Sequence, residues 1–324
     1  MKPCTRLREA KCRKMKKDLL SIYDLDRKDI DLILHRAAHL KDLLRKGEIY
    51  QPLQGKSIGM IFDKSSTRTR ISFEVGIYQL GGLAIFLSSR DTQLGRGETI
   101  ADTARIMSRY LSGVVIRTYD HEIVEEFAEN AAIPVINGLT DLLHPCQILS
   151  DLYTIVEKQG SYEGTKIAYI GDGNNIANSW INAAVRLPLH LSLACPEGYD
   201  PNGKILKEGI EQAKGRISLH RDPFEAVRDV NVVYTDVWAS MGQENERETR
   251  TKAFTDYQVN KKLLSHAGKD VIVMHCLPAH RGEEITSEVI DGIQSVIIDQ
   301  AENRLHVQKA VLEILLNGVV DNGG

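Results

Sequence analysis

The sequence lacks the marks of several large protein classes. Its five cysteines, Cys4, Cys12, Cys146, Cys195 and Cys276, are odd in number and widely spaced, with no C-x-x-C pair. That argues against a disulfide framework and a structural zinc site, and fits the reducing cytosol. No apolar run approaches the ~20 residues that cross a bilayer, and no apolar stretch follows the basic N-terminus as a secretory signal requires. A G-x-x-x-x-G-K-[ST] phosphate loop is also missing. No internal repeat or low-complexity tract interrupts the chain.

What remains is an ordinary globular balance, 324 residues with 42% hydrophobic and 26% charged, long enough for two domains of ~100–200 residues. The formal charge of −3 is unevenly spread. Eight of the 41 Lys and Arg and one of the 44 Asp and Glu fall in residues 1–17, a net of +7, leaving −10 on the rest. A basic arm on an acidic body can be a nucleic-acid tail or a targeting peptide. This one has no serine before Ser21, unlike a mitochondrial presequence. The expectation preferred here is an upstream start, with Met15 opening the working chain.

Short β-branched runs alternate with helical-period stretches throughout. Strands are predicted at 56–62, 83–87, 113–117, 134–136, 166–170, 191–195, 231–235, 271–274 and 295–298. Helices fit at 71–80, 99–111, 121–131, 148–158, 176–186, 204–214 and 254–266. Most of the strands are nearly continuously apolar, as strands buried on both faces are. The expected fold is α/β, two doubly wound parallel-sheet lobes joined by a helix, with the active site in the interlobe cleft. The predicted division is a basic extension at 1–16, lobes at 17–148 and 149–310, and a C-terminal helix and tail at 311–324. Ligands gather outside the carboxyl ends of parallel strands, so chemistry is expected in the loops that follow them.

The first such loop reads Asp63-Lys64-Ser65-Ser66-Thr67-Arg68-Thr69-Arg70. Ser66 or Thr67 can cap the next helix, whose free N–H groups attract an anion. Arginines bind phosphate through paired planar bonds, so phosphate binding is favoured over a merely well-capped surface helix. The loop at 88–99 is longer and more polar than a minimal connection needs. Arg117 ends an apolar strand and is a second phosphate candidate. His144-Pro145-Cys146-Gln147 opens a helix, with Pro145 suited to its first turn. The helix dipole there disfavours the imidazolium, so His144 is expected neutral, in a functional or a structural role.

Gly171-Asp172-Gly173-Asn174-Asn175 begins like a dinucleotide fingerprint, but Ile176 holds the third glycine position. A polar small-molecule site is preferred to NAD. Asp236 is a strand-end carboxylate suited to an ammonium group, and the charged stretch at 243–250 is either a solvated loop or a lid. In His275-Cys276-Leu277-Pro278, neighbouring side chains on an extended segment point opposite ways, so a thiol nucleophile would need its base from elsewhere. Arg304 follows the predicted last strand.

Taken together, Ser66-Thr67-Arg68-Thr69-Arg70, His144-Pro145-Cys146-Gln147, Asp236-Val237-Trp238-Ala239-Ser240-Met241-Gly242 and His275-Cys276-Leu277-Pro278 resemble the aspartate/ornithine carbamoyltransferase family, in matching order from about residue 17 onward. Ser240-Met241-Gly242 and His275-Cys276-Leu277-Pro278 resemble its ornithine-using branch. The resemblance implies transfer of the carbamoyl group from carbamoyl phosphate to the δ-amine of L-ornithine, giving L-citrulline and phosphate by direct attack through a tetrahedral intermediate. It also implies a cytoplasmic homotrimer with shared active sites, no metal or organic cofactor, and no nucleic-acid or membrane partner. By motif, Ser66, Thr67, Arg68, Thr69 and Arg117 would hold the phosphate, with Gln93 reaching into a neighbouring subunit's site. Arg68, Thr69 and His144 would polarise the carbamoyl oxygen. Gln147 and the backbone of Cys276 and Leu277, with Arg304 nearby, would hold the carbamoyl nitrogen. Asn175, Asp236, Ser240 and Met241 would bind ornithine, with Asp236 and Cys276 close to the reacting amine. Arg68, His144, Asp236 and Cys276 are the expected catalytic set, with Cys276 orienting rather than attacking.

The nearest alternative is a sister enzyme using putrescine, an acylated ornithine or aspartate. An NAD-dependent dehydrogenase would explain Gly171-Asp172-Gly173 but not Ser66–Arg70, and an RNA-binding tail would explain only the basic arm.

Overall fold

The computed structural model describes residues 17–88, 97–239 and 244–317. Helix α1 (Arg27–Arg45) is opened by a reciprocal cap: Asp26 accepts from the Asp29 N–H while Asp29 accepts from that of Asp26. Ile30, Ile33, Leu34, Ala37 and Leu40 recur at helical spacing and are buried. The sequence reading predicts no helix here.

The first lobe then runs β1 (Ser57–Phe62), α2 (Thr67–Gln79), β2 (Leu83–Ser88), α3 (Ile100–Tyr110), β3 (Gly113–Arg117), α4 (His121–Asn130) and β4 (Val135–Leu139). Its four strands are parallel in the order β2-β1-β3-β4. Helix α5 (Pro145–Gln159) leads out and stops at Gly160, whose φ of +83° suits a residue without Cβ. The second lobe continues with β5 (Lys166–Ile170), α6 (Asn175–Arg186), β6 (His190–Ala194), α7 (Gly203–Ala213), β7 (Ile217–His220), α8 (Pro223–Ala226) and β8 (Val232–Thr235). It closes with α9 (Arg247–Phe254), α10 (Lys261–Leu264), β9 (Ile272–His275), α11 (Ser287–Ile290) and α12 (Ile297–Asn317). This sheet is also parallel, in the order β7-β6-β5-β8-β9.

The expected α/β fold of two parallel-sheet lobes is present, with local departures beyond the unpredicted helices, α1, α8 and α11 among them. The strand predicted at 295–298 is a single bridge between Ser295 and Val273, after which α12 starts at Ile297 rather than at 311. The helix predicted over 254–266 is broken because Val259 pairs with Ile285, its N–H bonded to the Glu284 carbonyl. Asn260 then caps α10 afresh, accepting from the Leu263 N–H at 3.0 Å. Strand β7 was not predicted: it alternates Ile217 and Leu219 with Ser218 and His220, so it writes no apolar run.

One core cluster spans both lobes, from Leu19 and Phe73 to Trp180 and Tyr234. Trp180 meets Tyr234 edge-on with centroids 5.9 Å apart, and Tyr234 stacks on Tyr169 at 6.0 Å. Helix α12 leaves the second lobe and packs on α1, α2 and α5, so α5 and α12 both bridge the lobes. Among the described residues, no helix is long and apolar enough to cross a membrane.

Candidate active site

Each sheet reverses its strand order once, between β1 and β3 in the first and between β5 and β8 in the second. Such reversals open crevices at the carboxyl ends of the strands. Here both give onto one cleft of about 870 Å³, lined by the loops after β1, β3 and β4 on one side and β5, β8 and β9 on the other.

On the first-lobe side, Ser66 caps α2 by accepting from the Thr69 N–H at 3.2 Å, and the first turn from Thr67 lines the cleft. The Thr69 hydroxyl accepts from Arg304 at 2.6 Å and from Arg117 at 3.4 Å. Arg68 completes a cluster of three guanidinium groups, and the Nε of each is buried with no partner among the described residues. Burial, then repulsion from Arg304 and Arg68, brings Arg117 down to about 10. Burial likewise lowers Arg304. A concentration of positive charge with unspent donors is a receptor for a polyanion. Arg304 comes from α12, not from a loop after a strand.

His144 is the N-cap of α5, its backbone N–H donating to Ser179 Oγ at 2.8 Å. Burial first, then Arg304 and Arg117, holds it well below the usual histidine range, so the ring is neutral as expected, by burial and neighbouring cations. Gln147 donates through Nε2 to Asp151 Oδ1 at 2.8 Å, leaving Oε1 without a partner among the described residues.

On the second-lobe side, Asp236 Oδ2 accepts from Asn174 at 2.7 Å, while Oδ1 accepts from the Val237 N–H at 2.8 Å and from the Cys276 thiol at 2.9 Å. Burial, then the Asp236 charge, pushes the Cys276 thiol well above its usual range, which suits an orienting donor and not a nucleophile. Asn175 donates to the Thr140 carbonyl at 2.6 Å, reaching across to the first lobe. Leu277 sits at φ +59°, uncommon for a residue with a Cβ. Its N–H donates to His275 Nδ1 at 2.8 Å, so His275 Nε2 carries the proton and donates to Glu284 at 3.0 Å. His275 therefore holds the 276–278 turn, a role not read from sequence.

The cleft thus gathers Ser66, Thr67, Arg68, Thr69, Arg117, His144 and Gln147 with Asn175, Asp236, Cys276, Leu277 and Arg304. Gln93, Ser240 and Met241 lie outside the described residues, as does the basic arm at 1–16. Lining residues without a role assigned from the sequence include Lys64, Asp172 and Arg250. Lys64 is buried, ion-paired with Asp141 and 4.3 Å from the Tyr119 ring centroid. Asp172 and Arg250 pair at 3.2 Å, with burial pushing Asp172 up to about 6 against the pull of Arg250. Lys64 and Asp172 stood inside quoted motifs, and Arg250 in the charged stretch after β8, but no local pattern marked them as paired.

The ligand atoms of Asp236, His275 and Cys276 lie within 4.8 Å of one another, as do those of His280, Glu283 and Glu284. Both ring nitrogens of His275 are already engaged, so the first trio would have to break its loop to take a cation. The Gly171-x-Gly173 pair has its own explanation. A Cβ on Gly173 would lie 2.1 Å from Pro201 N, and Gly171 has φ +135°. These glycines serve a turn and a close backbone crossing rather than a dinucleotide.

Residues 17–157 match the family model described as aspartate/ornithine carbamoyltransferase, carbamoyl-P binding domain. Residues 163–315 match the one described as its Asp/Orn binding domain. An ornithine carbamoyltransferase of Syntrophus aciditrophicus is 72% identical over 302 residues, 93% of this chain and 100% of that protein. One of Thermococcus kodakarensis is 52% identical over 306 residues, 94% of this chain and 97% of its own length. Among solved structures, the ornithine carbamoyltransferase from Pyrococcus furiosus superposes with a TM-score of 0.91 at 50% identity, covering 95% of this chain and 100% of that one. The anabolic ornithine carbamoyltransferase from Campylobacter jejuni does so with a TM-score of 0.88 at 42% identity, covering 94% and 100%.

Proposed function

The chain belongs to the aspartate/ornithine carbamoyltransferase family, and we propose on that footing that it transfers the carbamoyl group of carbamoyl phosphate to the δ-amine of L-ornithine, giving L-citrulline and phosphate. The observation that carries this is the division of charge within one cleft, with Arg68, Arg117 and Arg304 gathered at Thr69 on one side and the Asp236 carboxylate on the other. An anionic donor and a cationic acceptor are the ligands such a cleft suits.

In this mechanism Ser66, Thr67, Arg68, Thr69 and Arg117 hold the phosphate, and Gln147 with the backbone of Cys276 and Leu277 holds the carbamoyl nitrogen. Arg304, bonded to Thr69, fixes the clamp. Asn175, Asp236, Ser240 and Met241 bind ornithine. The δ-amine, like lysine with an unperturbed pKa of ~10.4, attacks only after losing a proton. As it adds to the carbonyl carbon, negative charge grows on the carbonyl oxygen, where Arg68, Thr69 and neutral His144 donate. Losing one such donor costs ~10²–10³ in rate. The carbon–oxygen bond to phosphate then breaks, the departing phosphate takes the amine's second proton, and the clamp stabilises the resulting dianion. Asp236 and the protonated Cys276 orient the amine, and no covalent enzyme intermediate forms.

Residues 17–148 form the carbamoyl-phosphate domain and 149–310 the ornithine domain, which also lends Arg304 and the Cys276–Leu277 backbone to the carbamoyl phosphate side, with 311–324 as the C-terminal segment. The working form is a cytoplasmic homotrimer in which Gln93 enters a neighbouring subunit's site. A citrulline assay with carbamoyl phosphate and ornithine, run beside putrescine, an acylated ornithine and aspartate, tests the whole assignment. Product from another amine but not from ornithine would overturn it.

A further inference from the structure

The orientation of the Gln147 amide is fixed from a distance. The backbone N–H of His275 can only donate, and it donates to Gln300 Oε1 at 2.9 Å. The Gln300 amide nitrogen is thereby turned the other way, where it donates to Asp151 Oδ1 at 2.8 Å and to the Tyr234 hydroxyl at 3.1 Å. Asp151 is fully buried on α5, one turn beyond Gln147. The same Oδ1 accepts from Gln147 Nε2 at 2.8 Å. With its nitrogen held on Asp151, Gln147 turns its carbonyl oxygen the other way, on a side chain that lines the cleft, and that oxygen is buried with no partner among the described residues.

We propose that Asp151 is a positioning residue that presents the Gln147 carbonyl to the substrate, so that the site selects an amino group over a methyl group on the carbon being transferred. A lone buried acceptor is met by an N–H and is left unmet by CH₃, and leaving it unmet is what discriminates. A glutamine free to rotate could turn its NH₂ outward and lose that preference. The burial that pushes the Asp151 carboxyl up to about 7, against the pull of its bonds from Gln147 and Gln300, shows that a costly group is kept at this position.

The inference rests on the proposed contact between Gln147 and the carbamoyl nitrogen. Its test is equilibrium binding of carbamoyl phosphate and of acetyl phosphate, its methyl analogue, to the full chain as wild type, Asp151→Leu and Asp151→Asn. Asp151→Leu is expected to weaken carbamoyl phosphate by roughly 5- to 100-fold, the range for an unsatisfied buried hydrogen bond, while acetyl phosphate stays within about twofold. Asp151→Asn keeps an oxygen that receives both amides, so it is expected to retain the wild-type ratio. Equal weakening of both ligands in Asp151→Leu, or an unchanged ratio, overturns the inference. If that variant does not fold, Asp151→Ala is read in the same way. A wild type that does not prefer carbamoyl phosphate to acetyl phosphate also overturns it, whereas a wild type that binds neither would remove the proposed function itself.

Discussion

The Cys276 thiol donates to Asp236 Oδ1 at 2.9 Å, and that bond exists only while the sulfur keeps its proton. Burial and the neighbouring carboxylate push its pKa up, so Cys276 is a poor target for alkylation. At pH 8, peptide mapping after iodoacetamide should show it reacting at least ~10-fold more slowly than free cysteine. Cys276→Ser should still form citrulline within ~10² of wild type, whereas removing a true nucleophile costs ~10⁶. A loss of that larger size would return Cys276 to the role of nucleophile.

Arg68→Ala should reduce kcat/KM for carbamoyl phosphate by at least ~10², the cost of one transition-state donor. Its melting temperature should hold, because a like charge is removed beside Arg117. Near wild-type turnover would detach Arg68 from the phosphate.

Inorganic phosphate alone should stabilise the wild-type protein, by about 2.7 kcal/mol at a hundred times its Kd, since it relieves repulsion among Arg68, Arg117 and Arg304. Thermal melts with and without phosphate read this directly. Arg304→Met, which removes one charge and the bond to Thr69, should shrink the shift, and a full shift in that variant would place the anion elsewhere.

His306 is pushed down to about 4 by burial and then by Lys309, against ~6.5 when unfolded. Between those values the unfolded chain holds the extra proton, so stability falls as pH drops from ~6.5 toward 4 and is unaffected above. Urea unfolding of His306→Gln should show a shallower acid-side slope than wild type, by up to ~1.4 kcal/mol per pH unit. Asp151, raised to about 7, acts oppositely in both proteins, losing stability as pH climbs toward 7, so only the difference between them is diagnostic.

Gly173→Ala places a Cβ 2.1 Å from Pro201 N and 2.2 Å from Asp200 C, backbone atoms that cannot rotate away. The 172–175 and 199–201 segments must part, which should raise the ornithine KM and lower the melting temperature while leaving phosphate affinity on the first-lobe side intact. An unchanged ornithine KM would show that the crossing has no bearing on that side of the cleft.

The alternation of strand and helix was legible because strands covered on both faces, such as Gly113–Arg117 and Lys166–Ile170, write uninterrupted apolar runs. The same rule misread 295–298, where β-branched residues begin a helix, and missed β7, an edge strand with polar residues at alternate positions. Helix α1 went unread although its buried positions recur at helical spacing, the pattern of an amphipathic helix. The cleft-lining residues were legible where chemistry is contiguous, as in Ser66–Arg70 and His144–Gln147. The pairs Gln300–Asp151 and Asn303–Thr154 were not, since each joins positions 149 apart and leaves no local trace. Arg304 was found for the wrong reason, as a loop residue, when it faces the clamp from a helix.

The bond between Arg304 and Thr69 closes a span of 235 positions. A contact that distant forms late, because the entropy of closing the span must be met before the contact repays it. A partly folded molecule with an intact first lobe has Arg68 and Arg117 but an unfinished anion pocket. Phosphate affinity during refolding therefore reports, without any label, on the fraction of molecules in which these far-separated segments have met.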